Sequence, residues 1–393
     1  MSRLEELIAE LCPDGVKHQP LEQCCNILDR KRKPVTKAAR EQGEYPYYGA
    51  NGIQDYVKDY IFDGTFVLVG EDGSVITKAG TPVVTWATGK IWVNNHAHIV
   101  EEVDGVLLRY LFHFIQTINV TPLIHGNIPK LTGGDFKALS IPVPPLPVQN
   151  EIVRILDNFT ELTTELTTEL TARKKQYEYY MEQLLTFDDN TNWIPISKIA
   201  TVSDYVANGS FAALKENVQY KHSPDYAVLI RTIDYSSGFD SSKFIYIDEH
   251  AYNFLSKSKL MGGELIINNI GAGVGTTFRC PNLGIHMSLA PNSIMVSTPN
   301  DAFYYYWFTS KYGQEAMSKV TSQSALPKFN KTGFRTIMVP IPAMEEQNRI
   351  VEILNRFDTL CNDITKGLPA EIDARQKQYE YYRDKLLTFK KLA

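Results

Sequence analysis

The sequence predicts an α+β protein made by internal duplication. Two β-rich globular domains alternate with two long helices, which pair as an antiparallel coiled coil and give the chain a pseudo-twofold plan. Three observations predict this. Gln149 to Phe159 (QNEIVRILDNF) and Gln347 to Phe357 (QNRIVEILNRF) agree at seven of eleven positions, at an offset of 198. Arg173 to Phe187 (RKKQYEYYMEQLLTF) and Arg375 to Phe389 (RQKQYEYYRDKLLTF) agree at eleven of fifteen, at an offset of 202, so the second copy holds four extra residues between the blocks. Upstream of each pair the chain reads as short strands between Gly, Asp and Asn turns.

The first domain (1–145) places strands at Tyr56–Val57, Tyr60–Phe62, Thr65–Val69, Val83–Trp86 and Ala97–Val100, with an aromatic helix at Leu107–Ile118. Pro142, Pro144, Pro145 and Pro147 then forbid helix and give an extended lead-in. The first long helix (146–188) carries apolar residues at steps of three and four: Ile152, Ile155, Leu156, Phe159, Leu162, Leu166, Leu170, Tyr177, Tyr180 and Leu184. From Val148 to Phe187 it spans about 60 Å at 1.5 Å per residue. Thr-Glu-Leu-Thr repeats from Thr160 to Thr171. Threonine is a mediocre helix former, so these turns need a partner that buries their leucines.

The second domain (189–343) has strands at Tyr226–Ile233, Phe244–Ile247, Glu264–Ile267 and Ser293–Val296 and a helix at Phe303–Tyr312. Faint echoes of the first domain survive in it. Ile128-Pro-Lys-Leu131 matches Leu326-Pro-Lys-Phe329, Ile141-Pro-Val-Pro144 matches Val339-Pro-Ile-Pro342, and Gln19-Pro-Leu21 resembles Ile194-Pro-Ile196. In the second long helix (344–393), Gly367-Leu368-Pro369 predicts a kink or interruption. The expected seam joins Phe159, Leu162, Leu166 and Leu170 to Phe357, Leu360, Ile364 and Leu368. Helices kept alike point to a shared structural partner, and domains drifted apart point to two different targets.

The chain has 393 residues, is 44% apolar and 22% charged, and carries a net charge of −5. That composition is of an ordinary globular protein. No apolar run is long enough for a membrane span, and the first ten residues lack a basic start followed by an apolar stretch, so a cytoplasmic setting without a membrane partner is expected. The five cysteines include no C-x-x-C pair, which supports neither a disulfide framework nor a cysteine zinc site. Charge is uneven. Lys17 to Arg40 holds seven basic residues against Glu22 and Asp29, and Lys319 to Arg335 holds four and no acid. Negative overall charge argues against a nucleic-acid partner, but a phosphate backbone responds to local charge.

Catalytic motifs are absent. Gly271-Ala-Gly273-Val-Gly275 is not followed by a helix opening, so the dinucleotide-binding context fails and a tight turn is the reading. His96 and His98 offer two ligands without an obvious third. Asp135-Phe-Lys137 spells part of a nuclease motif at a frequency expected by chance. Neither a phosphate-binding G-x-x-x-x-G-K-[ST] loop nor the Asn-Pro-Pro-Tyr string of adenine methyltransferases occurs.

The domain–helix–domain–helix order, the lead-in from Ile141 to Gln149, the Thr-Glu-Leu repeat and the Arg173 to Tyr180 block resemble the specificity subunit of type I restriction–modification enzymes, over essentially the whole chain. The resemblance implies two target recognition domains that each read a few base pairs of double-stranded DNA, and helices that set the gap between half-sites. It implies docking of two modification subunits and two restriction subunits, which would carry the S-adenosylmethionine, ATP and magnesium chemistry, with no cofactor or metal in this chain. Base edges are read by Arg, Asn or Gln, whereas phosphates are met by Lys and Arg. The candidate DNA contacts in the first domain are Arg30, Lys31, Arg32, Lys33, Lys37, Arg40, Tyr47, Tyr48, Asn51, His125, Asn127 and Lys130. In the second they are Arg279, Lys319, Ser322, Gln323, Lys328 and Lys331. A coiled-coil scaffold presenting two protein-binding domains is the alternative; it would ignore DNA. A self-sufficient methyltransferase is disfavoured by the missing strings.

Overall fold

In the computed structural model, residues 2–73, 75–188 and 190–392 are described. The chain forms two compact units, of which the first is built from two separate segments and the second from one. The first holds residues 1–168 and 370–393, the second 169–369. Each therefore contains one globular domain, part of the helix that follows it, and part of the helix of the other copy.

In the first unit a six-stranded sheet has the order Asn26–Ile27, Ala97–Glu101, Phe62–Gly70, Val84–Val93, Gln42–Gly49, Gly52–Val57. One face buries Phe62, Phe66, Leu68, Ile91 and Ile99. The other packs Val67, Val69 and Val100 against the helix Leu108–Ile115 and against Val148, Ile152 and Leu156 of the first long helix. In the second unit two four-stranded sheets replace the single large one. The first orders Thr201–Asp204, Ser293–Ser297, Leu265–Asn268 and Thr277–Arg279, and the second Ile245–Ile247, Ala227–Ile230, His286–Leu289 and Lys259–Leu260. The aromatic helix Asp301–Thr309 fills the centre with Phe303, Tyr304, Tyr306, Trp307 and Phe308.

The faint sequence echoes occupy equivalent positions. Gln19 faces Ile141 in a two-stranded ladder, and Ile194 faces Val339 in another. Both proline lead-ins are held by the same two side chains. The Tyr110 hydroxyl donates to Pro142 O (2.9 Å) and Tyr304 to Pro340 O (3.0 Å). Gln149 Nε2 donates to Pro144 O (2.8 Å) and Gln347 Nε2 to Pro342 O (3.0 Å). These proline carbonyls are thus satisfied by side chains in both copies, a physical reason for a glutamine five residues beyond Pro144 and beyond Pro342.

The first long helix runs Leu146–Leu184 without a break, and Pro147, expected in the extended lead-in, instead sits in its first turn, where a proline costs no helical hydrogen bond. Its threonines are accommodated by back-bonding: Thr160, Thr163, Thr164 and Thr168 donate Oγ–H to the carbonyls four residues earlier, at 3.1, 2.9, 2.8 and 2.9 Å. The second copy is two helices, Met344–Asn362 and Leu368–Leu386. Between them Asp363 Oδ1 accepts from the N–H groups of Thr365 (2.7 Å) and Lys366 (3.2 Å). The interruption expected at Gly367-Leu368-Pro369 is present.

Pairing is antiparallel within each unit. In the first, Phe159 stacks on Tyr382 at 5.4 Å, and a groove lined by Thr167 and Thr168 reaches back to Gln376. In the second, Tyr177 and Tyr180 stack on Phe357 at 5.9 and 5.4 Å, while Arg173 and Lys174 lie beside Cys361. Leu162, Leu166, Leu170 and Leu368 are half-buried. Two expected seam residues are not. Ile364 is 80% exposed and Leu360 36%, and Cys361 is buried in their stead. The helix ends at Asn362, so Ile364 falls in the turn, out of helical phase.

Candidate nucleic-acid interface

The basic loop of the first domain, residues 30–40, is clamped to the sheet from beneath. The Tyr47 hydroxyl accepts from Val35 N–H (3.0 Å), and Trp92 Nε1–H donates to Lys33 O (2.7 Å). Arg32 is the central clamp. Its side chain is only 13% exposed, and its guanidinium meets Glu71 at 2.5 Å, Asp29 at 3.6 Å and the carbonyl of Ala97 at 2.8 Å. Asp29 also meets His98 Nδ1 (2.6 Å), and Glu71 also meets Lys130 Nζ (3.2 Å). Burial raises the Asp29 carboxyl, but the hydrogen bonds of His98 and of Ile99 N–H, with the charge of Arg32, hold it below the usual carboxylate range.

The expected contacts divide by their surroundings. Arg32 meets its partners within the domain. Tyr47 and Tyr48 are buried, at 1% and 7% exposed. Arg40 pairs with Asp55 (3.2 Å) and lies over the Tyr47 ring at 4.1 Å. Arg32, Arg40 and Tyr47 brace the loop, because a loop rich in cations needs carboxylates and aromatic faces to hold it in one shape. Four cations stay outward: Arg30, Lys31, Lys33 and Lys37 are exposed and make no ion pair among the described residues. Asn51 is exposed at the turn before Gly52, whose φ of +90° suits glycine. His96 and His98 do not act as a pair. His96 meets Asp72, while the buried His98 stacks on Phe136 at 4.2 Å. Asp29, Glu71 and His98 lie within metal-ligand reach of one another, but Arg32 and Lys130 already supply the positive charge there.

The hairpin Ile124–His125 and Lys130–Leu131 adjoins this cluster through Lys130. His125 and Asn127 are exposed on it, with His125 Nε2 3.4 Å from Asp135.

In the second domain, Lys319, Ser322, Lys328 and Lys331 line one cleft of about 680 Å³. Lys331 reaches Asp204 (3.0 Å) and Lys319 reaches Glu315 (2.9 Å). Lys328 makes no ion pair among the described residues, and its N–H donates to Ser322 Oγ (3.1 Å). Arg279 is exposed on the strand Thr277–Arg279, and Gln323 is exposed beside Ser322; neither lines the cleft.

The two loops share one frame. Gly73 N–H donates to Pro129 O (3.0 Å) and Gly271 N–H to Pro327 O (2.9 Å). Leu131 N–H donates to Glu71 O (2.8 Å) and Phe329 N–H to Asn269 O (3.1 Å). Gly73 and Gly271 have φ of +83° and +88°, so the Gly271–Gly275 run makes a strand-ending turn that supports this frame. The side chains on it differ. Where the first domain pairs Glu71 with Lys130, the second has Asn269, whose Oδ1 is buried and, among the described residues, has no hydrogen-bond partner; Lys328, likewise without an ion pair among them, lines the same cleft.

The family model for the type I restriction modification DNA specificity domain matches residues 13–175 and again 190–374. The chain belongs to this family. Among curated relatives of this specificity-domain protein, a chain of Haemophilus influenzae named as a type I restriction enzyme specificity subunit is 34% identical over 95% of this chain and 96% of its own length. The EcoR124I/EcoR124II specificity subunit of Escherichia coli is 33% identical over 73% of this chain and 72% of its own. The type I S subunit of M. genitalium shares the fold, with a TM-score of 0.59 at 16% identity over 95% of this chain and 96% of that one. Among the described residues, no helix is long and apolar enough to cross a membrane.

Glu71, Asn269, Ile128 and Leu326 were not among the candidate contacts the sequence offered. Glu71 and Asn269 carry no local signal. Ile128 and Leu326 did carry one, in the Pro-Lys match that follows each.

Proposed function

We propose that this chain is the DNA-reading subunit of a type I restriction–modification complex. Each globular domain reads one half of a bipartite double-stranded target, and the helices set the gap. The observation that carries this reading is one backbone frame present twice with different polar side chains on it: Glu71 and Lys130 in one domain, Asn269 and Lys328 in the other. A shared frame with changed donors and acceptors is what two readers of different base sequences require. Exposed cations around each frame supply the phosphate contacts that position the reader, and they do so despite the net charge of −5.

In this reading, two modification subunits dock on the helices and bring S-adenosylmethionine to adenine, and two restriction subunits bring ATP and magnesium. The setting is the cytoplasm. The retained side chains of the helices fit a docking role. Arg173 bonds Glu169 and Gln176 in one copy, as Arg375 bonds Glu371 and Gln378 in the other. The test is methylome sequencing of a host that expresses this chain with its partner subunits. A two-part adenine-methylated motif with a fixed gap is expected. Methylation independent of this chain, or a contiguous motif, would overturn the reading.

A further inference from the structure

The hairpin turn of the first domain and the loop before Lys328 in the second expose a branched aliphatic side chain at equivalent places. Ile128 is 69% exposed and Leu326 is 56% exposed, each followed by Pro-Lys. A large apolar group held in water twice, at the same point of domains that have otherwise diverged, is not a packing residue: the core does not use it. The backbone beneath is rigid. Pro129 O and Pro327 O accept from the glycine N–H groups described above, and Asp72 and Ile270 bridge Lys130 and Lys328. Each side chain therefore stands on a fixed support.

The surroundings name the occupant. Leu326 adjoins the cleft lined by Lys319, Lys328 and Lys331, with its Cδ1 near Gly271. In the first domain, Glu71 ties the hairpin to the loop that bears Arg30, Lys31 and Lys33. An apolar tip carried on the same support as a lysine, with further cations on the adjoining loop or cleft, matches a polyanion with apolar surface inside it, which is duplex DNA. A protein partner common to both copies would instead be met by the helices, where the copies agree.

We propose that Ile128 and Leu326 are specificity-determining contacts, each pressed against the bases of its own half-site, as a wedge at a base step or against a thymine methyl group. This rests on the DNA-reading function above. The experiment uses the chain assembled with its modification subunits and duplexes carrying the mapped target, with one or the other half-site scrambled. Both side chains face solvent, so Ile128→Ala and Leu326→Ala leave the fold intact.

Ile128→Ala should weaken discrimination of one half-site about tenfold, and Leu326→Ala that of the other half alone. The salt dependence of affinity should not change, because no phosphate contact is lost. Ile128→Leu should retain most of the discrimination. A rise in 2-aminopurine fluorescence on binding that the alanine variants lack identifies insertion. Loss of a preference for thymine over deoxyuracil identifies the methyl contact, and either result supports the proposal. Discrimination within twofold of the parent for both variants overturns it. So does failed assembly with the modification subunits while the assembled fraction reads DNA normally, which would make the tips a protein contact. A parent complex without preference for the mapped duplex would instead overturn the DNA-reading function itself.

Discussion

Arg32 and its neighbours in sequence have opposite tasks. Lys31 and Lys33 point outward, whereas Arg32 neutralises Glu71 and Asp29 beneath the loop. Removing one member of a largely buried ion cluster leaves its carboxylates unpaired. Arg32→Ala should lower unfolding free energy by about 3 kcal/mol in urea denaturation. The double variant Lys31→Ala, Lys33→Ala should stay within about 0.5 kcal/mol of the parent. Its DNA affinity should fall, and the slope of log K against log salt should flatten by about two, measured by fluorescence anisotropy in a salt series. An unchanged slope would remove this loop from the phosphate contacts.

At the scale of elements, the first domain holds the second copy's last helix through a network of four polar side chains. Within that unit, His113 bonds Tyr379 through Nδ1 (2.9 Å) and Asp157 through Nε2 (2.8 Å), and Arg109 also reaches Asp157 (2.7 Å). Burial holds the His113 imidazole below its ordinary pKa, against the pull of Asp157. Burial also raises Asp157, but His113 and Arg109 outweigh that and keep it below the usual carboxylate range. The signs agree. An imidazole kept neutral in the fold contributes stability that is fully present above its unfolded value of about 6.5, and that is lost as pH falls below it, because the unfolded chain takes up the proton first. Asp157 adds a second loss only near pH 4 and below. Thermal melts should therefore show stability falling between pH 7.5 and 5.5, with a shallower fall in His113→Gln. Equal slopes would acquit the histidine. The turn between the second copy's helices makes a separate prediction. A Cβ on Gly367 would lie 2.3 Å from Thr359 O, so Gly367→Ala should destabilise by about 1–3 kcal/mol.

At the scale of the whole molecule, the first long helix is the ruler of the proposed function. One more Thr-Glu-Leu-Thr unit after Thr171 should lengthen it by about 6 Å. Methylation mapping should then find a longer gap between unchanged half-sites; altered half-sites would refute the ruler.

The duplication, the proline lead-ins, the helices and the break at Gly367 were all legible in the sequence, because each is encoded by residues within a few turns of one another. Helical period, proline and repeat identity are local properties, and they determined the plan of this protein. Only the tertiary structure decided which side chains of that plan are free. Arg32 looks like Lys31 until Glu71, 39 positions away, comes within 2.5 Å of it. Ile364 fits the seam until the turn rotates it into water, and nothing in the Ile128-Pro-Lys match says whether Ile128 is inside or out until the hairpin leaves it exposed. Burial and charge pairing are properties of neighbours in space, and in this chain those neighbours are brought together by sheet and hairpin contacts that no local pattern records.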